Sequence, residues 1–359
     1  IGVRLVGSEM CIRDSNGAGK STILHSIYGF TNIFSGKIEI EGKEITNLTP
    51  AEKLKTVGIA YILQDNSVFP DMTVEENLLM GGYIKDKTEE SYQEAEKILE
   101  KYDNFAFKKE DICDTASITN WKPDKIIHLA SMAGVRYSIQ NPALYEKVNI
   151  GGFINILEEA VKNNVKQVVY ASSSSVYGLN KKVPFSESDE IKTCNSPYAC
   201  SKMAMELFAR TYHQLYGIKN IGLRFFTVYG PRGRPDMAPY KFLKAIKNGD
   251  TFQKYGDGTS SRDYTYIDDI VSGIIAALDN KKNIKCEIYN LGNSGPVTLN
   301  EFISICEKVS EKTALYDQIE EQLGDVPHTY ADISKAKRDL GYEPKINLVD
   351  GLKKLYLSL

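Results

Sequence analysis

The sequence predicts an α/β protein built on a doubly wound parallel sheet, and three observations lead there. From about residue 100 onward, strand-length apolar runs alternate with amphipathic helical stretches, the order that folds into strand, crossover helix and parallel strand. The runs QVVYASS (167–173), IGLRFF (221–226) and EIYNLG (287–292) recur between those helices as further strands. The chain has 359 residues, 42% hydrophobic and 25% charged, which suits two or three soluble globular domains with ample length for a large core.

Each element follows from its local pattern. STILHSIYGF (21–30) has helical apolar spacing, KIEIEGKEI (37–45) alternates with period two, and GIAYILQ (58–64) reads as a buried strand. EESYQEAEKILEKY (89–102) is an amphipathic helix, FAFKK (105–109) and KIIHLAS (125–131) are strands, and residues 143–163 form one long helix. Further helices fall at 197–216, 239–248, 267–279 and 299–310. No internal repeat or low-complexity tract interrupts them.

The net charge of −3 gives no global attraction to nucleic acid or to an anionic membrane, so small anions are the expected partners. Six scattered cysteines without a CxxC pair, and only four histidines, argue against a metal site or a disulfide framework and fit a reducing, cytoplasmic compartment. The longest apolar stretches fall far short of the roughly 20 residues that span a bilayer. There is no initiator Met and no signal-peptide pattern, and residues 1–14 are expected to be a non-native leader, since VGSEMCIRD resembles translated sequencing adapter.

Two motifs carry chemistry. NGAGKST (16–22) fits a phosphate-binding loop: backbone amides around Asn16, Gly17 and Gly19 can cradle phosphates, Lys20 can reach them, and Ser21 with Thr22 opens a helix where magnesium can be held. The first glycine of that pattern is replaced by Asp14, whose carboxylate repels a nucleotide. The second motif is VVYASSSSVYG (168–178) followed by YACSK (198–202). Tyr198 and Lys202, four residues apart on a helix, share one face, so the ammonium can stabilise a phenolate. A phenol whose ordinary pKa is about 10 needs such help to act as a base at neutral pH. Ligands bind beyond the carboxyl ends of strands in doubly wound sheets, which is where Ser173, Ser174 and Ser175 should sit.

With LQDNSVFPDMTVEENLLMG (63–81), the first motif resembles ABC transporter ATPases of the branched-chain amino-acid type over residues 16–86, which makes Gln64 the loop glutamine and ATP with magnesium the implied ligand. The Walker B carboxylate, signature motif and switch histidine of that family are missing. Over residues 98–359 the strings IIHLASMAGVRYSIQNP, YASSSSVYG, SPYACSK, LRFFTVYGPRGRPDMA, RDYTYIDDI and GDVPHTYADISKAKRDLGYEP resemble extended short-chain dehydrogenases, and more narrowly UDP-glucuronate 4-epimerases. The resemblance implies an incomplete Rossmann-type sheet with a smaller C-terminal substrate region, preceded by a partial P-loop ATPase fragment. The implied divisions are a leader at 1–14, an ATPase fragment at 15–95 and an epimerase domain at 96–359, whose substrate-binding parts lie mainly at 227–265 and 286–345.

Carried over position by position, the resemblance makes Tyr198 the acid/base, Ser173 its partner on the reacting hydroxyl, and Lys202 the holder of the nicotinamide ribose of NAD. Asp111 and Ile112 border adenine, Ala130 and Ser131 run under the cofactor, and Asn149 is a helix contact. Ser174, Ser175, Thr227, Arg232 and Arg262 face a nucleotide-sugar substrate, the arginines being suited to forked hydrogen bonds with carboxylate or diphosphate. Related 4,6-dehydratases carry an acid at the place of Ser174 or Ser175; its absence implies transient oxidation at sugar carbon 4 and return of the hydride to the opposite face. The family's opening strand, GxxGxxG loop and second strand are not found in the sequence. Helices 143–163 and 197–216 are the implied homodimer surface. Three readings remain: a sugar-nucleotide epimerase, marked by bound NAD; an ABC transporter ATP-binding subunit, marked by ATP turnover; and a non-catalytic fusion of two truncated halves.

Overall fold

Every residue of the predicted strand at 167–173 is buried, because its side chains alternate between helices on the two faces of a parallel sheet. The computed structural model describes residues 37–40, 43–48, 111–114, 122–231, 233–280, 282, 284–320 and 326–359. The chain divides into two compact units, Ile1–Lys108 and Lys109–Leu359. In the first, strands β1 (Glu39–Ile40) and β2 (Lys43–Glu44) pair antiparallel. The Ile38 amide donates to Thr46 Oγ1 at 2.8 Å and the Ile45 amide to the Ile38 carbonyl at 2.8 Å, so the predicted period-two run at 37–45 is a hairpin. The phosphate-loop residues 16–22, Gln64 and the elements expected at 21–30, 58–64, 89–102 and 105–109 lie outside the described residues.

Among the described residues, the second unit begins its regular structure with β3 (Lys125–His128), α1 (Val135–Gln140) and α2 (Pro142–Tyr145), then a π-helical turn (Glu146–Gly151) and α3 (Gly152–Lys162). The long helix expected over 143–163 thus runs without a gap from Pro142 to Lys162, with a π turn inside it. The extra residue in the π turn rotates Asn149 inward, where its amide is fully buried and bound to the backbone of Met132. Next come β4 (Gln167–Ser173), a 3₁₀ turn (Ser174–Tyr177), α4 (Pro197–Tyr216) and β5 (Lys219–Phe225). The bounds of α4 are chemical: Ser196 caps it by accepting from the Ala199 amide at 3.2 Å, Pro197 occupies the first turn, and Gly217 ends it at φ 73°.

The remainder is β6 (Thr227–Tyr229), α5 (Ala238–Asn248), β7 (Thr251–Tyr255), β8 (Ser261–Tyr266), α6 (Ile267–Leu278), β9 (Cys286–Leu291), β10 (Pro296–Thr298), α7 (Leu299–Ser310), β11 (Leu315–Ile319), β12 (His328–Thr329), α8 (Ser334–Leu340) and α9 (Leu348–Ser358). The main sheet has the order β3-β4-β5-β9, all parallel. On one face Val168 and Tyr170 pack with Phe153 and Leu157 of α3 and Met205 and Ala209 of α4; on the other, Val169, Ile221 and Tyr289 pack with Ile270 and Ile274 of α6 and Ala336 of α8. A smaller region is centred on β8, which pairs with β6 and β12 in parallel and β10 antiparallel, while β7 and β11 form a separate parallel pair. Its core joins Tyr229, Phe242, Tyr264, Phe302 and Leu352.

One glycine fixes the loop beside the sheet's carboxyl end. Gly178 follows the 3₁₀ turn at φ 57°, and a Cβ there would stand 2.3 Å from the Thr193 carbonyl oxygen. Gly178→Ala is expected to cost about 2 kcal/mol from strain and clash together, read as a lowered urea midpoint.

Candidate active site

The carboxyl end of β4 and the first turns of α4 meet where the sequence placed the chemistry. Lys202 is 1% exposed, yet its ammonium donates to Ser131 Oγ at 2.9 Å and to the Ala171 carbonyl at 2.8 Å. Burial lowers its pKa to about 7. Its Nζ lies 6.0 Å from the centre of the Tyr198 ring. Burial raises the Tyr198 phenol above its ordinary range, while the Ser173 hydroxyl and the Arg234 guanidinium nearby pull it back down. Ser173 ends β4 and caps the 3₁₀ turn, accepting from the Ser175 amide at 3.1 Å. Ser174 and Ser175 thus follow at once, half-buried, in the same turn.

Around this pair the segment 130–134 is held rigidly. Asn149 accepts from the Met132 amide at 2.7 Å and donates to the Met132 carbonyl at 3.0 Å and to Ser201 Oγ at 2.9 Å. Its amide is therefore engaged within the protein, bracing the segment that carries Ser131. Two of the three Lys202 donors go to Ser131 and Ala171, which leaves one suited to a ribose hydroxyl. Ala130 is exposed beside Ser131. Asp111 accepts from the Cys113 amide at 2.9 Å, and Asn155 of α3 donates to the carbonyls of Ile112 and Cys113, each at 3.1 Å, which fixes the 111–114 turn against that helix. Lys202 and Ser131 fit the nicotinamide-ribose end of NAD.

His128, at the end of β3, is 3% exposed and stacks on Phe153 with ring centres 5.2 Å apart. Burial first and the Lys202 charge second lower its pKa from 6.5 to about 4. Between those two values the unfolded chain binds a proton that the folded chain refuses, so stability falls by about 3 kcal/mol as pH drops across the window. His128→Asn is expected to flatten that slope, measured as urea midpoints at successive pH values.

Not every predicted substrate residue joins the cluster. Thr227 opens β6, one strand removed from β4 in the chain, and pairs with Tyr264. Arg262 on β8 donates to the carbonyls of Ser261 at 2.9 Å and Pro327 at 3.1 Å. No hydrogen bond joins it to Tyr198, Lys202 or the serines among the described residues. Arg232 lies outside the described residues. Two unpredicted residues do join. Arg234 acts on Tyr198, is paired with Asp236, and its Nη2 lies 3.4 Å from where a Cβ of Gly134 would stand. Tyr145 sets its ring edge-on to Tyr198, centres 6.1 Å apart, and shares its hydroxyl proton between the carbonyls of Ala133 at 2.8 Å and Gly134 at 2.9 Å. The string GPRGRPD offered both arginines, but no periodicity in a loop distinguishes them.

Comparison with known proteins identifies the family. A family model described as GDP-mannose 4,6 dehydratase matches residues 64–355. The match opens at Gln64, inside the stretch assigned above to a transporter ATPase, and that resemblance gains no support from these comparisons. An uncharacterised protein of Methanocaldococcus jannaschii is 50% identical over 261 residues, 72% of this chain and 79% of its own length. The UDP-glucuronate 4-epimerase of Thermodesulfobacterium geofontis is 42% identical over 261 residues, 71% of this chain and 80% of its own. The crystal structure of UDP-glucuronic acid 4-epimerase from Bacillus cereus, in complex with UDP-glucuronic acid and NAD, superposes with a TM-score of 0.69 at 37% identity over 73% of this chain and 83% of that one. With its sheet order, its buried Lys202 beside Tyr198 and a family match across most of its length, the chain belongs to the GDP-mannose 4,6 dehydratase family of Rossmann-type nucleotide-sugar enzymes.

Proposed function

We propose that this protein inverts carbon 4 of a nucleotide sugar, UDP-glucuronate to UDP-galacturonate, with NAD as cofactor. The observation that carries the reading is the buried Lys202 ammonium beside the Tyr198 phenol, which in turn meets the Ser173 hydroxyl. NAD, when bound, supplies the hydride acceptor and donor. The protein's own residues move and hold the proton. Tyr198 takes the proton of the 4-hydroxyl and later returns it; Ser173 keeps that hydroxyl in line; Lys202 holds the ribose with its remaining donor and stabilises the phenolate. Asp111 and Ile112 border the adenine end, and Ala130 and Ser131 support the ring.

Ser174 and Ser175 line the sugar and offer no carboxylate for elimination, which keeps the reaction an epimerisation. Arg234, already close to Tyr198, suits the sugar carboxylate, and its partner Asp236 holds it until substrate arrives. Arg232, Arg262 and Thr227 remain assigned to the nucleotide side. The outward faces of α3 and α4 form a homodimer surface on this reading, with Leu207, Leu215 and Tyr216 more than half exposed there. No helix among the described residues is long and apolar enough to cross a membrane, and a cytoplasmic setting suits five described cysteines that are all free. The phosphate-loop sequence at 16–22 plays no part in the mechanism.

The test is direct. Purified protein incubated with NAD and UDP-glucuronate is expected to yield UDP-galacturonate by proton NMR. Unchanged sugar, with NAD shown bound by native mass spectrometry, would refute the reading.

A further inference from the structure

Beneath the reacting groups lies a buried ion pair that the mechanism does not use. Glu206 stands one helical turn beyond Lys202 on α4, as Lys202 stands one turn beyond Tyr198. Its carboxylate accepts from Arg224 Nε at 2.9 Å and Nη2 at 2.7 Å, and from Ser172 Oγ at 2.6 Å. Glu206 is 8% exposed, Arg224 4% and Ser172 2%. Ser172 and Arg224 are direct partners across β4 and β5, so one carboxylate spans two strands of the sheet. The Arg224 guanidinium in turn lies 4.7 Å from the centre of the Tyr177 ring, and Tyr177 closes the turn that carries Ser174 and Ser175. The Tyr177 hydroxyl donates to Asn290 Oδ1 on β9 at 2.6 Å.

We infer that Glu206 is a positioning residue: with Arg224 and Ser172 it sets the register of the Tyr198–Lys202 helix on the strand that ends in Ser173, and through Tyr177 it holds the turn of Ser174 and Ser175. This rests on the function proposed above for the pieces it joins. Consecutive residues of β4 receive consecutive turns of α4, Ala171 through its carbonyl to Lys202 and Ser172 through its hydroxyl to Glu206. A slide or rotation of the helix breaks both links together. An apolar pair of similar volume would pack such a site at little cost in stability, or with a gain, so a buried ion pair here serves geometry more than stability. Its directional bonds admit one arrangement, whereas apolar contacts admit several.

The test replaces both charges at once, Glu206→Met with Arg224→Met, so that no buried charge is left unpaired. Two quantities are read: the pH midpoint at which the Lys202 amine becomes reactive to acetic anhydride, quantified by mass spectrometry without any ligand, and kcat for epimerisation. The expected result is an unaltered circular dichroism spectrum, a Lys202 midpoint raised by about one pH unit as the amine leaves its buried seat, and kcat lowered at least about tenfold with KM little changed. Lys202 owes its shift to burial alone, so removing the neutral pair has no direct charge effect on it. A folded double variant with an unmoved Lys202 midpoint overturns the inference. Should the double variant fail to fold, Glu206→Gln with Arg224→Gln, which also leaves no buried charge unpaired, is read against the same midpoint, with the same overturning result. A parent enzyme that does not epimerise refutes the proposed reaction, while the labelling midpoint still decides the role of Glu206.

Discussion

Tyr198→Phe is expected to lower the rate of epimerisation by about three orders of magnitude and to leave the fold intact. A positioned acid/base contributes roughly 10² to 10⁴ in rate, and the proposed mechanism gives this one phenol both the removal and the return of the proton, which sets the expected loss in the middle of that range. The ring itself stays where it is: its edge-on contact with Tyr145 and its place in the first turns of α4 do not depend on the hydroxyl. Loss of one hydroxyl beside Ser173 changes stability by about 1 kcal/mol or less. The check is kcat from NMR time courses beside thermal melts of the same samples. A variant that keeps a tenth of the parental rate assigns the proton to another group.

Lys202→Met separates activity from stability, with an effect that reverses its importance across the pH scale. The folded amine titrates near 7 and an ordinary lysine near 10.5. Between those values the unfolded chain carries a proton that the folded chain does not, so the parent's stability increases as pH rises from 7 to 10.5 and bears the full penalty of burial below 7. Methionine has no such dependence. The stability of Lys202→Met relative to the parent is therefore expected to be greatest below pH 7 and to decline by roughly 4 to 5 kcal/mol on the way to pH 10.5, partly masked at every pH by the hydrogen bonds to Ser131 and Ala171 that it loses. Below pH 7, where the amine is charged, activity falls at least about a hundredfold, because the phenolate loses its stabilising charge and the ribose its donor. Urea titrations at pH 6.5 and pH 10 measure the first effect; a relative stability that does not vary with pH contradicts the assigned burial of the amine.

The parts of the fold that are buried on two faces were legible in the sequence. The strand at 167–173 was found at its full length, and helix 197–216 was bounded by Ser196–Pro197 at one end and Gly217 at the other, because capping chemistry leaves its residues in place. The strand expected at 287–292 was found as β9, but the short strands of the smaller region, β6–β8 and β10–β12, were not. They are two to six residues long and mostly polar; in TFQKY only Phe252 and Lys254 turn inward, and their stability comes from pairing with β11, a partner distant in the chain. The candidate site divides in the same way. Tyr198, Lys202 and the serines are adjacent in local structure, so spacing alone could bring them together. Arg234 reaches Tyr198 only through the path of an irregular loop, and Glu206 meets Arg224 only because two strands lie side by side. The π turn at 146–151 was hidden because it leaves the helix continuous and its apolar periodicity nearly unchanged on either side.

The most direct measurement follows the hydrogen on the reacting carbon. With UDP-glucuronate deuterated at carbon 4 and unlabelled water, the protein is expected to form UDP-galacturonate that retains the deuterium at carbon 4, since the hydride leaves and returns within one site while Tyr198 handles only the hydroxyl proton. Product in which that position carries solvent hydrogen, a dehydrated or decarboxylated sugar, or no turnover at all would contradict the account.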